Sequence, residues 1–303
     1  IFHIFRSSKR ILLFLLKEKI MFMDEYIVKR IAAPKYIKAK YPQYFQPEIQ
    51  PFISEKMFQN IANLDSFEEE EENSEENTEI NLYDQLKKEL PNNFYKQRKI
   101  GENDDLICQL IQKDSIEEFI IYVKKNDYSL KTRIKTSIYE TNSFLFKKNS
   151  VTLIEYAVFY GSSQIFNYLR KNGVDLTSSL WLYAIHGDDA EIIQILEENK
   201  VLPPGVSYDR CIKESIKCHH NHIVNYIINN LLNNANDITK NINFSLNYNE
   251  NICSYCFHYY NFAFYPTEID DDFIFYYACE YDYFEIVEYF INTFKIDINE
   301  KII

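Results

Sequence analysis

A recurring pattern of apolar and small residues in the second half of the chain constrains its fold more than any other feature. The clearest copy runs from Val151 to Asp175 and reads VTLIEYAVFYGSSQIFNYLRKNGVD. Apolar residues at i, i+3 and i+4 mark one face of each of two short helices, and a small residue lies where helices approach closely. Gly173, just past the last apolar position, predicts a helix end in the left-handed conformation. The small residue recurs as Ala157, Ala184, Ser215 and Ala278.

The order of residues in this copy resembles an ankyrin repeat, whose helix pair and projecting turn occupy about 33 residues. The residues that carry the resemblance are Thr152, Ile154, Ala157, Gly161, Ile165, Phe166, Leu169, Gly173 and Asp175. The stretches IEYAVFYGSSQIFNYL, SLWLYAIHGDDAEII and CIKESIKCHHNHIVNYI are similar to a large, divergent family of protist ankyrin proteins with an amino-terminal region of its own. The resemblance covers Gly101 to Ile303. The chain departs from the ankyrin pattern at Leu153, Glu155, His219 and Asp282.

The resemblance implies an all-α fold, namely an ankyrin-type solenoid of stacked helix pairs preceded by a partly irregular helical region. A single helix pair cannot bury its own apolar face, so neighbouring pairs must cover one another. The region 151–303 is expected to hold repeats at about 151–177, 178–206, 209–235 and 272–300. The wide spacing before the last copy predicts an insertion at 236–269, which is either a long loop or a degenerate extra repeat.

The first half of the chain divides by composition into three further regions. Residues 1–60 are rich in Lys and Arg at the start and are interrupted by Pro34, Pro42, Pro47 and Pro51, which exclude one continuous helix. Residues 61–80 contain a run of glutamates and are predicted to be a disordered acidic linker. Residues 81–150 regain helical periodicity and are expected to form a lead-in with one degenerate repeat. Because the chain begins with Ile1, Met21 or Met23 is the expected start site, with 1–22 as an extension.

Composition and charge narrow the function classes. The chain has 303 residues, of which 46% are apolar, which is enough to bury a substantial core. The formal net charge of -12 disfavours nucleic acid as a partner, because a phosphate backbone requires a basic surface. The many Tyr and Phe residues are interpreted mainly as helix-face core.

The amino-terminal apolar run ILLFLL is too short to cross a bilayer and is followed by Lys17, Glu18 and Lys19. We therefore expect no stable membrane insertion, although a basic helix at a membrane surface is an alternative. The sequence has no recognisable secretion signal, so the cysteines are expected to be reduced thiols. The expected location is the cytoplasm, with the nucleus as an alternative.

The resemblance also implies a place for partner binding. Ankyrin proteins bind other proteins across the projecting turns and the outward residues of the inner helix, which form a concave groove. The corresponding positions here are Val151, Phe159, Tyr160, Ser178, His186, Gly187, Asp209, Lys217, Cys218, Asp272, Glu280 and Tyr281. Aromatic residues such as Phe159 and Tyr160 are favoured interface anchors. The alternative is that divergent stacking buries them.

One constellation of Cys and His residues could bind a metal. Cys253 and Cys256 have the spacing with which two thiolates hold one zinc ion, and Cys218 and His222 could complete a tetrahedron. The alternative is that these are ordinary buried thiols and exposed histidines on repeat positions, since a second Cys-x-x-Cys pair is missing. The zinc hypothesis corresponds to a zinc-stabilised regulatory module rather than a plain scaffold.

Motifs of catalysis and cofactor binding give no support to an enzyme. The sequence contains no G-x-S-x-G, no H-E-x-x-H and no glycine-rich phosphate loop, and it has only five glycines in total. We therefore expect a non-catalytic protein that uses no cofactor and binds a protein partner.

Overall fold

The computed structural model describes residues 2–53, 86–146, 151–232, 247–263 and 271–294. These residues are mostly helical, which confirms the expected all-α class. The chain divides into two compact units, residues 1–153 and 154–303. The predicted acidic linker at 61–80 lies outside the described residues, as do the two ends of the predicted insertion.

The first unit begins with short helices separated by tight turns. They are α1 Phe2–Phe5, α2 Lys9–Lys17, α3 Glu25–Ile31, α4 Pro34–Lys38, α5 Tyr41–Tyr44 and α6 Gln46–Ile49, followed by a 3₁₀ turn at Gln50–Phe52. Ser8 and Asp24 cap α2 and α3, because their side chains accept hydrogen bonds from the backbone N–H of Ile11 and Ile27. Pro42 lies in the first turn of α5, where a backbone N–H would have no acceptor within the helix, so its absence costs no hydrogen bond. The prolines thus shape a series of short helices, as the sequence indicates.

Residues that precede Met21 belong to the core of the first unit. Phe2, Leu12 and Leu15 are buried in one apolar cluster with Met21 and with residues of the following helices. Residues 2–22 are therefore packed with the rest of this unit, whereas the sequence suggested that 1–22 is an extension.

Lys9 is the most unusual buried side chain of this unit. Its Nζ donates a hydrogen bond to the carbonyl oxygen of Glu140 at 2.9 Å and lies 5.3 Å and 5.0 Å from the ring centres of Tyr41 and Phe146. Burial lowers the pKa of Lys9 to about 7, although the negative charge of Glu140 opposes this shift. Backbone carbonyls and aromatic faces thus replace the water that the ammonium loses.

The remainder of the first unit contains the start of the repetitive region. Its helices are α7 Phe94–Ile100, α8 Leu106–Gln112, α9 Ile116–Lys125 and α10 Ser143–Phe146. The only strands among the described residues are β1 Arg133–Ile134 and β2 Val151–Thr152, which pair antiparallel with Ile134 opposite Val151. Helices α8 and α9 contact each other and occupy the position of the expected degenerate repeat.

Apart from α17, the described helices of the second unit follow one another in pairs. They are α11 Leu153–Phe159, α12 Ser163–Lys171, α13 Leu180–Gly187, α14 Ala190–Glu198, α15 Asp209–Lys217, α16 Asn221–Tyr226, α17 Asn247–His258, α18 Asp271–Glu280 and α19 Phe284–Phe294. A π-helical segment, Ile227–Leu232, continues α16. Helix α17 falls inside the predicted insertion, so a regular helix occupies part of that region.

The same turn ends the first helix of every pair and also ends α17. The turn residue has a positive φ, and the backbone N–H of the next residue donates to the carbonyl oxygen of the small residue. Ser162 donates to the carbonyl of Ala157 at 2.8 Å, and His220 donates to that of Ser215 at 2.9 Å. The positive-φ residues are Asp114, Gly161, Asp188, His219, Tyr260 and Asp282. The matching carbonyl acceptors are Leu110, Ala157, Ala184, Ser215, Cys256 and Ala278. The predicted small positions therefore share one geometry, and Cys256 joins them.

The ends of the second helices repeat a second turn. Gly173 has φ 82°, which confirms the left-handed helix end predicted at this residue. Lys200 and Asp127 occupy the same conformation after α14 and α9, with φ 54° and 49°. The turn geometry is thus retained where the glycine of the first copy is replaced.

The first helices of successive pairs lie against one another. Helix α13 contacts α15, α15 contacts α17, and α17 contacts α18. Helix α13 also approaches α11 closely, because a Cβ built on Gly187 would lie 2.6 Å from the carbonyl oxygen of Val158. Trp181 of α13 is fully buried, and its indole N–H donates to the carbonyl of Val201 at 2.8 Å. The core of the second unit therefore runs along this series of helices.

Candidate functional site

A row of side chains marks the carboxyl ends of the first helices in the second unit. We call these residues the helix-end row, defined as the two residues that lie two and three positions after each carbonyl acceptor of the recurring turn. The row consists of Phe159, Tyr160, His186, Gly187, Lys217, Cys218, His258, Tyr259, Glu280 and Tyr281. All of these except His258 and Tyr259 are among the positions predicted for partner binding.

Direct contacts join the row from one helix to the next. The Phe159 ring stacks on the His186 ring, with centres 5.8 Å apart and planes at 29°. His186 Nε2 lies 2.7 Å from Oε1 of Glu214, and His186 Nδ1 lies 3.5 Å from Sγ of Cys218. Farther along, the rings of His258 and Tyr281 meet edge to face at 5.3 Å. Side-chain contacts therefore connect the row from α11 to α15 and again from α17 to α18.

Helix α17 continues the row between α15 and α18. Its His258 is exposed and Tyr259 is half-buried. Burial raises the pKa of Tyr259, and the charges of Lys217 and Glu214 on α15 act on the same hydroxyl. Sequence comparison of the repeats missed these two residues, because α17 has Tyr260 in place of a turn glycine and follows α15 at an irregular spacing.

Glu214, one turn before Cys218 on α15, contacts two residues of the row. Its Oε1 accepts from His186 and from Nζ of Lys217, which lies one turn along the same helix. Burial alone would raise the pKa of Glu214, but the hydrogen bonds from His186 and Lys217 outweigh it and lower the pKa to about 2. Glu214 is therefore a carboxylate at neutral pH and places a negative charge beside His186 and Lys217 of the row.

Cys218 is a protonated thiol in this environment. Burial and then the negative charge of Glu214 raise its pKa to about 12. The thiolate is the nucleophilic form of cysteine, so Cys218 is not activated for nucleophilic attack.

A second group of histidines lies at the adjacent turn. Nε2 of His222 lies 3.0 Å from Oδ1 of Asp188, and Nδ1 of His220 lies 3.6 Å from the same oxygen. His220 Nδ1 is also 2.7 Å from the carbonyl oxygen of Ile185. These contacts connect the turn after α13 to the start of α16.

The remaining predicted partner residues lie at the opposite ends of these helices. Ser178 precedes α13, Asp209 begins α15 and Asp272 is in the first turn of α18, and all three are exposed. A helix of about nine residues is about 13 Å long, so these residues are separated from the helix-end row by that distance. Val151 is buried in β2 with 6% of its surface exposed. We therefore do not include Val151 in the candidate surface.

The four residues of the zinc hypothesis, Cys218, His222, Cys253 and Cys256, are not brought together. Cys253 and Cys256 are fully buried in α17, where Cys253 packs against Ala278 and Cys256 occupies the small position of the turn. Burial and the neighbouring Cys253 raise the pKa of Cys256 to about 12. The spacing of these two cysteines thus reflects helix packing.

The described residues do contain one group of three potential metal ligands that lie close together. One ligand atom each of His186, Glu214 and Cys218 lie within 4.8 Å of one another, and no other group of His, Cys, Asp or Glu in the described ranges meets this distance. The sequence signal was present but weak: Glu214 and Cys218 are four residues apart and therefore lie on one helix face.

Comparisons with known proteins add no assignment. No protein-family model, no curated protein and no solved structure matches this chain. In the part of the chain that the structure describes, no helix is both long enough and apolar enough to span a bilayer.

Proposed function

We propose that the protein is a non-catalytic scaffold that binds another protein through the helix-end row of an ankyrin-type solenoid. The observation that carries the proposal is the series of side-chain contacts along this row, which join α11 to α13, α13 to α15 and α17 to α18, while the charge of Lys217 on α15 acts on Tyr259 of α17. A surface assembled from successive short units suits an extended polypeptide better than a small molecule.

The recurring turn supports an ankyrin-type arrangement. Each first helix ends in a left-handed residue and the same backbone hydrogen bond, and the helices α11, α13, α15, α17 and α18 lie against one another in this order. In repeat proteins this nearest-neighbour packing creates a long exposed face. Replacement of the consensus glycine by Asp188, His219, Tyr260 and Asp282 leaves the turn geometry intact.

The chemistry of the row favours binding over catalysis. Cys218 is protonated at neutral pH, and the carboxylate of Glu214 is held in ion pairs. Phe159, Tyr160, Tyr259 and Tyr281 instead supply half-buried aromatic surface. Half-buried aromatic residues next to charged groups are typical anchors of protein interfaces.

A pull-down tests the proposal. Tagged full-length protein is compared with the double variant Phe159→Ala plus Tyr160→Ala in lysate of the organism that encodes it. We expect specific partners of the wild type to be lost from the variant. The matched control is Phe14→Ala plus Phe22→Ala, which removes two exposed aromatic residues of the first unit and should retain the partners. Equal recovery from both double variants would contradict the proposal, provided that circular dichroism shows both to be folded.

A further inference from the structure

We propose that His186, Glu214 and Cys218 form a Zn²⁺ site that links two successive helix pairs of the second unit. His186 belongs to the last turn of α13, whereas Glu214 and Cys218 come from the end of α15. Imidazole, carboxylate and thiolate are all established zinc ligands, and a cysteine ligand favours zinc over magnesium, calcium or manganese. This ligand set is distinct from the Cys-x-x-Cys pair of α17.

Of the two ligand distances to Nε2 of His186, the one from Cys218 is close to that of a tetrahedral zinc centre. Zinc bonds of about 2.0 to 2.3 Å at tetrahedral angles place ligand atoms about 3.4 to 3.6 Å apart. Sγ of Cys218 lies 3.8 Å from Nε2 of His186, which needs little adjustment. Oε1 of Glu214 lies 2.7 Å from the same nitrogen, which is a hydrogen-bond distance. Entry of the metal therefore requires this hydrogen bond to open by about 0.7 Å, a movement within the reach of a glutamate side chain.

The surrounding structure holds two of the ligands in position. Glu214 and Cys218 are separated by one helical turn, so a single rigid helix sets their spacing. The ring of His186 is stacked on Phe159, and only 12% of the His186 side chain is exposed. Such support lowers the entropy lost when the ligands are ordered around an ion.

Charge balance is consistent with a divalent ion. A neutral imidazole, a carboxylate and a thiolate together offer two negative charges, and zinc deprotonates a coordinating thiol. Three protein ligands leave the fourth position for water, as in zinc sites that remain open. The ammonium of Lys217 is the competing cation, since it contacts the same oxygen of Glu214. Its side chain is 39% exposed and is free to turn towards solvent when the ion enters.

Zinc binding by purified full-length protein tests the site. Reduced protein stripped with a chelator is titrated with Zn²⁺ against a fluorescent zinc indicator, and Co²⁺ is used in parallel as a spectroscopic probe. We expect one equivalent of Zn²⁺ and a thiolate-to-Co²⁺ charge-transfer band. Cys218→Ser and Glu214→Gln should each weaken Zn²⁺ binding by about 100-fold, which is the upper end of the loss from an outer-shell partner. Cys218→Ser should also abolish the charge-transfer band.

Two controls separate this site from other thiols. Cys279→Ser removes an exposed cysteine outside the site, and Cys253→Ser removes a thiol of the Cys-x-x-Cys pair. Both should retain the wild-type affinity. Absence of stoichiometric Zn²⁺ binding, or loss of binding in Cys253→Ser with retention in Cys218→Ser, would overturn the proposal. Because the assay contains no protein partner, its failure would leave the proposed scaffold function untouched.

Lys217 gives a test in the opposite direction. Lys217→Ala removes the competing cation and should tighten Zn²⁺ binding by about 10-fold, because each opposing charge near a divalent ion weakens its binding. The near-isosteric substitutions Cys218→Ser and Glu214→Gln preserve the size of the side chains, and circular dichroism verifies their fold. An affinity that is unchanged or weaker in Lys217→Ala would show that the ion does not bind Glu214.

Discussion

Gly187 illustrates, at the residue scale, how a position predicted for binding can be required by packing. A Cβ at this residue would meet the carbonyl oxygens of Val158 and Phe159 at 2.6 and 3.0 Å, both of which are backbone atoms. We expect Gly187→Ala to lower the free energy of unfolding by about 1 to 3 kcal/mol, because helices α11 and α13 must separate. Gly173→Ala is the comparison, since its Cβ meets nothing and only its left-handed φ is strained, at about 1 kcal/mol. Denaturant unfolding that ranks Gly173→Ala as the more damaging change would contradict this explanation.

Glu214 provides a pH-dependent prediction at the same scale. Its pKa falls from 4.5 to about 2 in the folded protein, so its ion pairs stabilise the fold above the unfolded value and lose this effect as the pH falls through the folded value. In the presence of a chelator, wild type should be about 1 kcal/mol more stable than Glu214→Gln at pH 7, a figure reduced for solvent screening. The difference should vanish near pH 2. A difference that stays constant over this range, measured by denaturant unfolding, would exclude the ion pairs as its source.

The recurring turn is the defining feature at the element scale. It places a residue of positive φ after each first helix, and His219 holds this place after α15 with φ 60°. A residue with a side chain is strained in this conformation by about 1 to 2 kcal/mol, whereas glycine is not. We therefore expect His219→Gly to raise the free energy of unfolding by about 0.5 to 1 kcal/mol. His222→Gly, within α16, should lower it by a similar amount. Destabilisation by His219→Gly in thermal unfolding would argue against the turn.

The helix pairs could be predicted wherever the small residue, the apolar spacing and a turn residue coincide, as they do around Ala157 and Ala184. The helix around Cys256 could not, because Tyr260 takes the turn position and the spacing from Ser215 is irregular. The packing of residues 2–16 could not be predicted from the sequence either, since it depends on contacts with distant helices such as α5. The ligand group His186, Glu214 and Cys218 spans two helix pairs of the second unit, and its distances follow only from how α13 contacts α15.

At the scale of the whole molecule, we expect neighbouring helix pairs of the second unit to stabilise one another. Trp181 of α13 lies in the core of the second unit and has no exposed surface. Trp181→Ala should cost about 3 to 5 kcal/mol in the second unit. If each helix pair is coupled mainly to its neighbours, amide hydrogen exchange should increase most in α11 to α16 and less in α19. The exposed Tyr276→Ala is the control and should change exchange little. An increase spread evenly over the second unit would contradict nearest-neighbour coupling.

The most direct test of the central claim is the dissociation constant of a recovered partner for two variants at separate points of the helix-end row. One variant is Phe159→Ala plus Tyr160→Ala on α11, and the other is His258→Ala plus Tyr259→Ala on α17. If the row is one continuous binding surface, each change should weaken binding by about 10-fold or more, equivalent to about 1.4 kcal/mol. Affinities equal to that of the wild type for both variants, with their folds intact, would show that the partner binds elsewhere.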